Sequence, residues 1–158
     1  MWVAWVIFVV GGVAAAAVYW RMRPLSKALG KNLIDSMPRF RRHDLEQVRS
    51  ALEHHAVLAR HKQATALDLW LAPLVTVTVA AFAWGIADGQ AAAWVPVALA
   101  IVAGIGDQVE NHFIRRILGA PHRPVPQGEV TALAVATSVK FGGYILALVA
   151  PFIVVAAG

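Results

Sequence analysis

Four apolar runs alternate with polar connections along this chain. The first, Trp2 to Trp20, reads WVAWVIFVVGGVAAAAVYW and carries no charge. The second, Leu69 to Ala87, has no ionisable group, and the third, Ala91 to Gly106, follows after the short polar hinge Asp88-Gly89-Gln90. The fourth runs from Thr131 to Ala157 with Lys140 as its one charge. A bilayer core is ~30 Å thick and takes ~20 apolar residues of helix to cross. The first two runs meet that length, the third borrows from its flanks, and the fourth exceeds it. The pattern predicts an all-α fold: an integral membrane antiparallel four-helix bundle with amphipathic cytoplasmic helical extensions. It is a single domain over residues 1–158, with spans at about 2–20, 66–87, 91–113 and 131–157 and cytoplasmic loops at 21–64 and 114–130.

Local signals refine the elements. Trp2, Trp5, Tyr19 and Trp20 bracket the first span, where indole and phenol rings favour the headgroup level. Gly11/Ala15 and Gly12/Ala16 place small residues four apart, a face that lets a second helix come close. Pro24 is expected to end the first helix, and Ser26 to Met37 to form a short helix of its own. Asp44 is an N-cap candidate for an amphipathic helix carrying Leu45, Val48, Leu52, Ala56 and Ala59 on one face. That helix either lies on the inner leaflet or runs on into the second span. Continuation is favoured, since no Gly or Pro falls between Leu45 and Ala72. Pro73 should kink the second span. Val109, Phe113 and Ile117 keep helical spacing beyond the third span to about Leu118, where Gly119 and Pro121 stop it. Pro121, Pro124 and Pro126 make the second inner loop irregular.

Charge sets the orientation. Of 14 Lys and Arg residues, ten lie between Arg21 and Lys62, and Arg115, Arg116 and Arg123 lie in the second inner loop. Basic residues confined to two loops on one side follow the positive-inside pattern. Both termini are therefore expected outside the cytoplasm, in a bacterial inner membrane. A cleaved signal peptide needs a basic region before its apolar run, and here the basic residues follow it. The hydrophobic fraction of 59% and mean hydropathy of +0.62 exceed what a soluble domain of this size can bury. The net charge of +5 comes without a basic-aromatic platform, so no nucleic-acid partner is expected. The absence of Cys removes disulfides, thiolate metal sites and Cys nucleophiles.

Chemistry, if there is any, gathers at the inner end of the bundle. Asp68 opens the second span, Asp107, Glu110, Asn111 and His112 close the third, and Lys140 lies in the first half of the fourth. At ~1.5 Å per residue all six fall near one level. Asp107 and Asn111 share a helix face at i, i+4. Lys140 either snorkels its ammonium to the inner headgroups or is held in hydrocarbon by Asp68, Asp107 or Glu110. Such a pair could be a static latch, a proton or ion relay, or a clamp for an anionic headgroup. His54, His55 and His61 lack metal-ligand spacing, so no metal is expected. The serines sit in no G-x-S-x-G turn, and no cofactor is indicated.

In layout the chain is similar to the membrane-associated eicosanoid and glutathione metabolism proteins, four-span trimers whose second span opens with Arg, Asn and Glu. The corresponding stretch here, Arg60 to Asp68, lacks the Asn and has Asp68 as its only acid. The reading that follows from the residues is a non-catalytic subunit of a homo-oligomer or of a larger set of membrane subunits, with the lipid bilayer as its medium. The alternatives are a small enzyme or carrier for a lipid or amphipathic anionic substrate, using the inner polar cluster, and an oligomeric ion-conducting assembly. An open cavity reaching Lys140 would favour the enzyme or carrier. A closed bundle with an exposed small-residue face would favour the subunit.

Overall fold

Each apolar run becomes one long helix. A computed structural model describes residues 2–29, 41–51, 55–87, 90–120 and 123–157. α1 is Trp2–Leu29, α2 Arg42–Ala51, α3 His55–Ile86, α4 Trp94–Gly119 and α5 Gln127–Ala157, with one 3₁₀ turn at Ala91–Ala93 leading into α4. No strand occurs among the described residues. Four of the helices are long and apolar enough to cross a membrane, by length and composition. α1 packs chiefly on α3, and α3, α4 and α5 pack on one another. The α1–α3 register pairs Gly11 with Thr78 and Trp5 with Gly85. In the same sense Gly106 meets Ala136 and Lys140 across α4 and α5, while Gly143 meets Ala103.

Two expectations change. Pro24 does not end the first helix, because α1 continues through it to Leu29. A proline withholds one N–H, here the one that would reach the Trp20 carbonyl, and a helix bends around such a gap where water can take the bond. The part of the Ser26–Met37 segment beyond Leu29 lies outside the described residues, as do Asp88, Gly89 and Pro121. The expected continuation of the amphipathic segment into the second span falls on residues 52–54, which lie outside the described residues. α2 ends at Ala51 and α3 begins at His55. Leu45 and Val48 of α2 are buried against Met22, Ile114, Ile117, Leu118 and Val125, so the helix covers the protein's own end instead of a leaflet. The fourth helix begins at Gln127, before Thr131.

Proline inside a span is handled by a neighbour. Pro73 lies within α3, and its missing N–H frees the Leu69 carbonyl. Gln108 of α4 donates its side-chain amide to that carbonyl at 3.4 Å. A polar side chain in a membrane helix thus repairs the ladder that proline interrupts.

Packing differs along the bundle. The mid-membrane contacts are made by small residues: Ala72, Ala83, Ala100, Ala103, Gly104, Gly106, Ala136, Gly143 and Ala147 are all buried. Lipid is as apolar as leucine, so close backbone approach rather than water exclusion joins helices there. Large apolar side chains collect instead at the end that carries α2, where Leu45, Ile114, Leu133 and Val125 are fully buried. That end holds a core of large apolar side chains. Arg49 of α2 fastens it by donating to the Ala120 and Arg123 carbonyls. Glu129 joins Arg116 at 3.0 Å and also Arg123. On the α2 surface, Arg42 donates to Glu46 at 2.9 Å, and that hydrogen bond holds the Glu46 carboxyl below its ordinary value. At the opposite end, edge-to-face and tilted rings of Trp5, Phe8, Phe82 and Phe152 tie α1, α3 and α5 together, with centroids 5.4 to 6.4 Å apart.

Candidate functional site

Three polar stripes meet where α3, α4 and α5 pack. On α3, His61, Thr65, Asp68, Ala72 and Thr76 follow one face at spacings of four, three, four and four. On α4, Asp107, Glu110 and Asn111 occupy the buried face. On α5, Thr137, Lys140 and Tyr144 are three and four apart. Helical spacing of this kind aligns side chains one above another, and the helix register brings the three rows to one level.

Lys140 lies at the centre. Its Nζ is 2.8 Å from Asp107 Oδ1 and 3.0 Å from Glu110 Oε2, and it donates a hydrogen bond to the latter. Thr137 donates to the other Glu110 oxygen, Oε1, at 2.8 Å. Glu110 is therefore held at both oxygens, and with 1% of its surface exposed it is among the largest fully buried side chains. The lysine does not snorkel: its side chain turns inward and is 14% exposed. One turn further along α5, Tyr144 and Thr76 share a hydrogen bond at 2.9 Å, and Thr76 donates to the Ala72 carbonyl at 2.9 Å.

Asp68 and Asn111 belong to the same polar core but face its α1 side. Together with Met22, His61, Ala64, Thr65 and Ile114 they line a cavity of about 10 Å³. That is room for about one water. His61 Nε2 and Asn111 Nδ2 are buried there without a hydrogen-bond partner. Counted as ionised, Asp68, Asp107 and Glu110 set three negative charges against the one ammonium of Lys140. Buried charge without a partner is costly, so the core has an appetite for positive charge and none for a further anion.

Of the six residues expected from the sequence, five share this core. His112 does not: it is exposed, stacks edge-on against Phe113 at 5.6 Å, and lines an outer groove between α3 and α4 with Pro73, Ile101 and Val109. It lies one residue past Asn111, about 100° around the helix. His61, Thr65, Thr137, Tyr144 and Thr76 are members that sequence reasoning missed. Their signal was present in spacings of three, four, seven and eight residues to Asp68 and Lys140. No group of three or more His, Cys, Asp or Glu side chains able to hold a metal ion occurs among the described residues.

A larger feature lies outside the core. Between α4 and α5 an open apolar groove of about 870 Å³ runs over Gly106, Gly128, Ala132 and Ala136, rimmed by Val102, Ile105, Val109, Val135 and Val139. Gly128, Ala132 and Ala136 are four apart on α5, and they make the floor of the groove small.

No family model matches the chain, and neither a curated protein nor a solved structure matches it.

Proposed function

We propose that the chain is a small polytopic membrane protein acting as a non-catalytic subunit that assembles with further copies of itself. In this reading its four spans form an antiparallel bundle in a bacterial inner membrane. Both termini lie outside, and the basic stretch with α2 lies in the cytoplasm as a helical extension. The α4–α5 groove carries the proposal. A row of small residues at i, i+4 and i+8, open to the bilayer and rimmed by β-branched side chains, is what close helix association in lipid requires. The other small-residue face, at Gly11, is already spent on Thr78, which lies 2.6 Å from where a Gly11 Cβ would be. A closed core supports the same reading. Lys140 is engaged by two carboxylates, and the cavity lined by His61, Asp68 and Asn111 takes about one water, which leaves an organic substrate little room there. The excess of carboxylates also argues against an anionic headgroup as ligand.

A second reading, an oligomeric ion-conducting assembly, is favoured by that same excess of buried negative charge. It differs in placing the polar cores of several copies along a shared path.

Copy number tests the proposal. Native mass spectrometry of the chain in lipid nanodiscs is expected to give a fixed oligomer. Ala132→Leu, which fills the groove floor, is expected to shift it to monomer without lowering the melting temperature of the monomer fold. A wild-type chain that is monomeric in lipid overturns the proposal. Orientation has its own test, made simple by the lack of Cys. A membrane-impermeant maleimide is expected to label Ser50→Cys only from the inside and Gln90→Cys only from the outside. Labelling of both from one side rules the topology out.

A further inference from the structure

The cavity between α1, α3 and α4 poses a hydrogen-bonding question that its own residues answer. Thr65 donates its single hydroxyl proton to the His61 carbonyl at 2.9 Å. The His61 Nδ1 lies 3.2 Å from the same hydroxyl oxygen. That oxygen has no proton left to give, so Nδ1 must carry the hydrogen and donate it. In the neutral ring the other nitrogen, Nε2, is then a bare acceptor. It is buried and unpartnered, on a residue that lines the cavity. Across the cavity, Asn111 Nδ2 is a buried donor without an acceptor, and Asp68 supplies a carboxylate. One water is enough to serve all three, by the following arrangement. It accepts from Asn111 Nδ2 and donates one hydrogen to His61 Nε2 and the other to Asp68. Three bonds is the usual number for a buried water. Met22 and Ile114 close the site with apolar surface.

We infer that this cavity holds one water joining His61 Nε2 to the Asp68 carboxylate, and that the pair forms a proton-loading site for the lysine–carboxylate core. The ligand is a proton. Loaded on His61, it moves by exchange. The Nε2–H bond breaks as the water oxygen takes that proton, and the water's other O–H bond breaks as its proton bonds to Asp68. The water is regenerated, the ring is neutral, and the carboxylate becomes a carboxyl. Loading leaves the core with one fewer excess negative charge, and the transfer moves that neutralisation from the ring to the carboxylate without changing the total. The titratable groups in this count are His61 and Asp68, which line the cavity from α3, and the neighbouring core groups Asp107 and Glu110 of α4 and Lys140 and Tyr144 of α5. Among the described residues, α1 contributes only Met22 to the lining, and those of α2 that are buried are Leu45 and Val48. The inference stands whether or not the chain is a subunit, because it concerns groups within one copy.

The test uses the full chain in phosphatidylcholine–phosphatidylglycerol nanodiscs with ring-15N-labelled histidine. His61→Gln identifies the His61 signals. The neutral ring is expected as the Nδ1–H tautomer, and Thr65→Val is expected to abolish that preference. Asp68→Asn removes the nearby negative charge and is expected to weaken proton binding at His61 about tenfold, with thermal unfolding followed as a control. An Nε2–H tautomer in the wild-type chain overturns the inference, and so does a His61 titration that Asp68→Asn leaves unmoved. Exchange of choline for Na⁺ at fixed pH is expected to change nothing. A displaced His61 titration in Na⁺ would make the cavity a sodium site and overturn the proton reading. If Asp68→Asn does not fold, infrared titration of the wild-type chain decides. A carboxyl band linked to the imidazole band supports the relay, and independent midpoints refute it.

Discussion

Lys140→Met is expected to lower the unfolding free energy by about 3–5 kcal/mol, the range for removing one partner of a buried ion pair. The cause is the pair of carboxylates left behind. Asp107 and Glu110 are 5% and 1% exposed, and each lies within 3.0 Å of the ammonium that the substitution deletes. Thr137 still donates to Glu110, but a neutral hydroxyl cannot balance two charges. Placing an ion in a low-dielectric interior costs several kcal/mol, and the lysine returns most of that by attraction. The loss should shrink as pH falls, because protons take over the neutralising role. The triple variant with Asp107→Asn and Glu110→Gln should recover most of the stability, since the charge is then removed from both sides. Thermal or denaturant unfolding in detergent, followed by helix content, gives these values. A Lys140→Met variant as stable as the wild-type chain at neutral pH would show that the cluster holds no ionised carboxylate.

The second large effect is steric. Gly143→Ala is expected to destabilise the α4–α5 pair by about 1–3 kcal/mol, whereas Gly142→Ala next to it is expected to stabilise by about 0.5–1 kcal/mol through helix propensity. A Cβ on Gly143 would lie 2.8 Å from the Ala103 Cβ, 3.2 Å from the Ala103 Cα and 3.2 Å from the Leu99 carbonyl oxygen. Two of those atoms are backbone, so relief requires moving a helix. A Cβ on Gly142 meets nothing within 4 Å. The two substitutions are chemically identical and one residue apart, so their difference isolates the contact. Because α4 and α5 also carry the lysine and its carboxylates, the Gly143→Ala variant should loosen that cluster, visible as faster amide exchange around Glu110. Equal melting temperatures for the two variants would contradict the packing.

Hydrophobic length alone gave the number of long helices, because the cost of an unpaired backbone in hydrocarbon leaves few alternatives to a helix. The same reasoning located Asp107, Glu110, Asn111 and Lys140 near one level, since rise per residue is fixed. What failed was local. Pro24 was expected to stop a helix, but one missing N–H at an aqueous edge is too small a penalty to override the rest of α1. Burial of Leu45 and Val48 against α4 and the loop before α5 depends on partners more than sixty residues away. His61 illustrates the remaining limit. Spacing placed it in line with Asp68, but only the approach of Met22, Asn111 and Ile114 turned a helix-surface histidine into the wall of a closed cavity. Periodicity fixes which residues share a face of one helix. Which faces meet is settled by packing between helices, and there Gly106 and Gly143 decide how closely the charges come together.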